Sequence, residues 1–141
     1  VAEAPERAVV PIQIRFADVD LAQHVHNAVY LQWFELARMA FLKGIIPAGH
    51  DWKVQGLILA RNEVDYRMPV RLHDRVEAEA WCSAVGGKSF DLQYRIHRKG
   101  GEHEGVCAEG RSVMVCFDYV QQRTIALPEA WRQGLAAYLP A

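Results

Sequence analysis

Between positions 18 and 27 the chain reads DVDLAQHVHN, which places Asp18, Asp20, His24, His26 and Asn27 within ten residues. The stretch that follows, AVYLQWFELARMAFLK, is strongly apolar. Polar groups crowded against an apolar element cost free energy unless they are paired or used. Three chemistries suit these residue types. A DxD followed by HxH supplies oxygen and nitrogen ligands adequate for zinc or manganese, although the spacing matches no established metal motif. Alternatively, the aspartates turn the chain and cap a helix while the histidines are satisfied within the loop. A third reading uses every feature. The free N–H groups and positive end of a helix favour negative charge developing on a carbonyl oxygen. A carboxylate nearby can attack that carbonyl or activate water to attack it. Thioesters fit such an apparatus, because a thiolate leaves with little acid assistance. On residue type alone, Asp18 and Asp20 are equivalent candidates for the carboxylate.

Other chemistries find less support. Gly86-Gly87-Lys88-Ser89 ends like a phosphate-binding loop, but Cys82 stands where that pattern needs Gly, and a strand pattern follows where a helix is required. No GxSxG elbow is present. The three cysteines are an odd count without CxxC spacing, which indicates neither a disulfide framework nor a zinc knuckle. Cys107 and Cys116 have opposite parity on one strand pattern, and all three read as packing residues.

The elements that must hold the loop are legible from periodicity. Val10, Ile12, Ile14 and Phe16 alternate with Pro11, Gln13 and Arg15, as in a half-buried strand. A helix is expected from about Asn27 to Lys43, with Tyr30, Trp33, Phe34, Ala37 and Phe41 on one face. Leu36, Met39, Ala40 and Leu42 extend its apolar surface most of the way round, so burial is expected on nearly all sides. Asn27 fits the N-cap, and Gly44 the position just past the end. After a loop containing Pro47, Gly49 and Gly56, alternation marks strands at Val64–Val70, Val76–Cys82, Phe90–Ile96 and about Glu104–Tyr119. Pro128 then opens a short terminal helix, about 128–138, carrying Trp131, Leu135 and Tyr138. The fold class is α+β: a strand, one long buried helix, then an antiparallel meander with one sheet face wrapped around the helix.

With 141 residues and 16.0 kDa, a single domain spanning 1–141 is expected, its core at about 8–128. The formal net charge of −1 gives no electrostatic case for nucleic acid or an anionic membrane. No apolar run approaches the roughly 20 residues that span a bilayer. VAEAPERA lacks the basic start and apolar stretch of a secretion signal. A cytoplasmic enzyme or small binding protein is the expectation.

The segment RFADVDLAQHVHNAVYLQWFELAR resembles the signature of the hotdog-fold acyl-CoA thioesterases of the 4-hydroxybenzoyl-CoA thioesterase type, an aromatic followed by DxDxxGHVNNxxYxxxxExAR. VDYRMPVRLHD and GGKSFDLQYRI resemble later elements of that family, in the right order, so the likeness covers roughly residues 10–128. It implies a curved antiparallel sheet around one long helix and a homodimer, often paired again into a homotetramer, with sites between subunits. It also implies an acyl thioester of coenzyme A or of an acyl carrier protein as substrate, with coenzyme A as part of the substrate and no other cofactor or metal. The second aspartate of DxD is the family's usual catalytic carboxylate, which points to Asp20. Asn27 occupies the place whose backbone N–H polarises the thioester carbonyl. His24 matches the histidine of GHV, which is assigned to catalysis in the similar plant acyl-carrier-protein thioesterases. Asp18 is expected to fix the loop by hydrogen bonds. It joins Val25, Tyr30, Lys88, Ser89 and Arg123 in the expected substrate-contacting set, with Lys88 and Arg123 matching contacts to coenzyme A phosphates. Glu35 and Arg38 match the ExAR element and suit an i, i+3 ion pair. Two positions depart from the pattern: Gln23 replaces the usual Gly, and His26 replaces the first Asn of HVNN. A hotdog enoyl-CoA hydratase or dehydratase and a non-catalytic acyl-CoA binding protein are the alternatives. The Asn-Pro typical of the former is absent between Asp20 and His24, and the latter usually carries an effector domain.

Overall fold

The computed structural model describes residues 3–140. A first strand, β1 (Ala8–Ile12), leads through a single 3₁₀ turn (Phe16–Asp18) and the polar loop into helix α1 (Val29–Lys43). Five strands follow: β2 (Gln55–Tyr66), β3 (Val76–Val85), β4 (Ser89–Arg98), β5 (Gly105–Asp118) and the short β6 (Arg123–Thr124). Helix α2 (Glu129–Ala136) comes last, with Pro128 at its N-cap. The strands form one antiparallel sheet in the order β1-β3-β4-β5-β2, with β6 added to β5. Bulges between Leu59 and Arg61, Cys82 and Ala84, and Ile96 and His97 bend it. This is the hotdog architecture.

Helix α1 lies against one face of the sheet and packs chiefly on β1 and β3. Its buried stripe, Tyr30, Trp33, Phe34, Ala37 and Phe41, meets inward-facing Ala78, Ala80, Leu92 and Tyr94. Phe34 stacks flat on Tyr94 with centroids 4.5 Å apart. Gly110 makes that approach possible, because a Cβ there would collide with the Phe34 ring.

Several boundaries differ from the periodicity. The first strand stops at Ile12, and Phe16 is 85 % exposed. The cause is Asp18, whose carboxylate accepts the Arg15 backbone N–H at 2.8 Å and folds the chain into the 3₁₀ turn. Helix α1 starts two residues after Asn27, with Ala28 rather than Asn27 at its N-cap. β2 begins nine residues before Val64 and includes Gly56, while Met68 and Val70 lie beyond its end. Its partner is β5, some fifty residues away, which no local pattern records. The meander is therefore β3-β4-β5 only, and β2 crosses to the far edge. One flank of α1 is open, with Leu36 and Met39 half exposed. Arg38 does not pair with Glu35; it turns into the core and donates to the Tyr94 hydroxyl at 3.2 Å. Among the described residues no helix is long and apolar enough to cross a membrane.

Candidate active site

The polar loop folds as a miniature hairpin. The Val19 and Val25 backbones bridge antiparallel, His26 N–H donates to Asp18 C=O at 2.8 Å, and Asp20 N–H donates to His24 C=O at 2.9 Å. Val25 anchors the hairpin, buried and donating its N–H to Val70 C=O at 2.8 Å.

The two aspartates, equivalent in sequence, have different surroundings. Asp18 is buried, and both its oxygens are engaged by Arg15, through the backbone N–H and a guanidinium contact of 2.8 Å. Those hydrogen bonds hold its carboxyl below the usual carboxylate range against the opposing effect of burial. Asp20 is half-buried. Its Oδ1 accepts the N–H groups of Ala22 (2.8 Å) and His24 (3.1 Å), and its Oδ2 accepts nothing among the described residues. Gln23 closes this turn with its N–H on Asp20 C=O and a left-handed φ of 65°. The conformation that a glycine would adopt freely is thus retained and carried by glutamine, at a cost of about 1 kcal/mol.

At the hairpin's exit, the backbone N–H groups of Asn27 and Ala28 make no hydrogen bond among the described residues. They precede the helix ladder and belong to exposed residues. Asn27 C=O, by contrast, is held by the Tyr66 hydroxyl at 2.8 Å. Tyr66 also meets Tyr30 edge to face with centroids 5.1 Å apart. Burial pushes the Tyr30 hydroxyl up to about 12. Tyr66 pins the helix start, a role that sequence reasoning missed; its place in VDYRMP was the one available signal.

Two cavities flank the hairpin. One, of about 200 Å³, is lined by His24, Val25, Asn27, Tyr30, Tyr66 and Met68. The other, of about 500 Å³, holds Asp20 with Phe16, Leu21, Arg71 and His73. Asp20 and His24 therefore share one hairpin but line different cavities. Because Asp18 is turned to Arg15, the DxD and HxH side chains do not converge, and among the described residues no three His, Cys, Asp or Glu side chains group as metal ligands. Lys88, Ser89 and Arg123 lie elsewhere. Lys88 Nζ sits 3.5 Å from Thr124 Oγ1, next to Arg123, at the end of the sheet where β4 begins. The hairpin lies where β4 ends, so about 30 Å of strand separates the two groups. The three thiols are buried, which pushes Cys82 and Cys116 up to about 11 and Cys107 upward as well, so none presents a thiolate at neutral pH.

Comparison with known proteins agrees with this fold. The model of the thioesterase-like superfamily matches residues 14–135. The long-chain acyl-CoA thioesterase FadM of Escherichia coli K12 is 30 % identical over 128 residues, covering 88 % of this chain and 93 % of its own. The acyl-CoA thioester hydrolase YbgC of Escherichia coli O6:H1 is 24 % identical, covering 85 % and 89 %. The crystal structure of a thioesterase from Thermus thermophilus, complexed with coenzyme A and Zn, is 32 % identical, with a TM-score of 0.78 over 92 % of each chain. The chain belongs to the thioesterase-like superfamily and has its hotdog fold.

Proposed function

We propose that the protein hydrolyses acyl-CoA thioesters to a free acid and coenzyme A, with Asp20 at the reacting carbon and the N–H groups of Asn27 and Ala28 holding the carbonyl oxygen. The observation that carries this reading is the pair of unbonded N–H donors at the start of a buried helix, on the same hairpin as a carboxylate with one free oxygen. A thioester lying across the hairpin meets both. As the carbonyl carbon becomes tetrahedral, its oxygen gains charge where the donors and the helix dipole favour it. Asp20 Oδ2 either bonds to the carbon, expelling the thiolate and leaving an anhydride that water opens, or takes a proton from the water that attacks. Both routes give one acid and one thiol per water consumed. Oxygen-18 water in a single turnover separates them, because label found in Asp20 marks direct attack. The Asp20 amide contacts fix the carboxylate without consuming Oδ2, Asp18 braces the hairpin, and His24 lines the smaller cavity beside the oxyanion donors. Coenzyme A enters as part of the substrate, and the chemistry draws on protein groups alone.

The position of Lys88 and Arg123 supports a homodimer. β2 is a twelve-residue edge strand with exposed Ile58 and Leu59, an open template for another strand. It runs from the Lys88 end of the sheet to the hairpin end. Antiparallel pairing of two β2 strands therefore sets one copy's Asp20 beside its partner's basic end, where the phosphates of coenzyme A would be met. The decisive experiment is free-thiol release from acetyl-, decanoyl-, palmitoyl- and benzoyl-CoA by wild type and Asp20→Asn, with sedimentation of both. Release that disappears in the variant is expected. A folded wild-type dimer that binds these thioesters without releasing thiol would refute hydrolysis.

A further inference from the structure

The larger cavity beside the hairpin holds two groups for which the reaction has no use. Arg71 and His73 line it together with Asp20, and neither side chain makes a hydrogen bond or ion pair among the described residues. Their neighbour Asp74 is otherwise occupied, since its carboxylate accepts the Arg71 backbone N–H at 2.9 Å and the Arg98 guanidinium at 3.1 Å. That turn fixes the backbone and leaves the Arg71 guanidinium without an ion-pair partner among the described residues. Across the cavity stand two large apolar side chains, Phe16 at 85 % exposure and Leu21 fully exposed. Apolar surface of this kind, joined to an unpaired planar cation, suits a ligand that is apolar along its length and anionic at one end.

The thioester has two arms, and they cannot occupy the same space. If the carrier arm runs toward a basic end of the sheet, as the proposed function has it, the arm left for the cavity at Asp20 is the acyl group. We infer that this cavity receives the acyl chain and that Arg71, aided by His73, selects acyl groups ending in a carboxylate or a comparable anion. The inference rests on the thioesterase reading and narrows its substrate class. Phe16 and Leu21 cover the methylenes or ring of the acyl group, and Arg71 takes the terminal oxygens as charge-assisted hydrogen bonds.

The test compares glutaryl-CoA with pentanoyl-CoA, which are similar in length and differ in the terminal carboxylate. Wild type is expected to favour glutaryl-CoA in kcat/KM, chiefly through KM. Arg71→Ala should reduce that preference about tenfold or more, Arg71→Lys should restore part of it, and His73→Ala should reduce it less. A preference that Arg71→Ala leaves at the wild-type ratio, in a variant with unchanged thermal unfolding, overturns the inference. So does an equal loss on both CoA thioesters that spares their N-acetylcysteamine counterparts, for Arg71 would then be meeting carrier phosphates instead of the acyl end. Calorimetric binding of the same pair to Asp20→Asn reads the cavity without hydrolysis. Preference for glutaryl-CoA there, with no thiol release by wild type, would sink the thioesterase reading and uphold the cavity's selectivity. Absence of preference alongside normal wild-type turnover would do the reverse.

Discussion

Asp18 and Asp20 are two residues apart, yet the two halves of the hairpin they begin are built on opposite plans. In the first half both carboxylate oxygens are used: Arg15 closes around a buried Asp18, and the chain turns because of it. In the second half the polar atoms are held but not exhausted. Asp20 is fixed through one oxygen and Asn27 through its carbonyl, while Asp20 Oδ2 and the Asn27 N–H make no hydrogen bond among the described residues. In the proposed mechanism the contrast separates a brace from a reagent. A carboxylate whose lone pairs are all taken contributes stability, whereas one oriented by neighbours with an oxygen to spare can react.

Breaking the reagent half should have the largest effect. Asp20→Asn keeps an amide oxygen for the backbone N–H groups of Ala22 and His24, so stability should move little. The kcat for thioester hydrolysis should meanwhile fall by about a thousandfold or more; thiol-release assays beside a melting curve read both. Asp18→Asn should show the opposite pattern. It loses the charge-assisted contacts with Arg15 at a cost of about 1–2 kcal/mol in denaturant unfolding, with a smaller loss of activity through hairpin order.

The same pair yields a pH signature. Arg15 holds the Asp18 carboxyl below its usual value, so its stabilising contribution is complete above the unfolded carboxylate pKa of about 4 and is lost as pH falls through the lower folded value. The stability gap between wild type and Asp18→Asn should therefore narrow below about pH 4. A gap that widens on acidification would contradict the brace assignment.

Tyr66→Phe removes the hydroxyl from Asn27 C=O and tests whether the oxyanion donors need that anchor. A loss of about 1 kcal/mol in stability and a several-fold fall in kcat are expected. The smallest effect belongs to Gln23→Gly, which relieves the left-handed backbone. The greater freedom of glycine in the unfolded chain offsets part of the gain, leaving about 0.5 kcal/mol of stabilisation in equilibrium unfolding.

Much of the frame could be read locally. β3, β4 and β5 lie where apolar residues alternate, because each buries one face against the helix, and period-2 patterns record that directly. Helix α1 likewise announces itself through Tyr30, Trp33, Phe34, Ala37 and Phe41. Failures fall where a distant or competing partner decides. Phe16 continues the alternation of β1 but leaves the strand because the Asp18 carboxylate captures Arg15. The early part of β2 lacks alternation because it is an edge strand with little buried surface, held by its ladder to β5. Arg38 has Glu35 at the right spacing but finds Tyr94 across the core.

By itself, the sequence determined the α+β class, the long helix and the crowding of reactive groups just ahead of it, since these follow from side-chain chemistry and short-range periodicity. Resemblance to a family then chose Asp20 over Asp18. Tertiary structure decided which carboxylate is spent and which is free, because that depends on hydrogen bonds whose direction no residue type encodes. It also decided that Arg71 and His73, about fifty residues along the chain, share a cavity with Asp20. Two turns can face each other across a sheet end only after strands far apart in sequence have paired, and that pairing is a property of the folded chain.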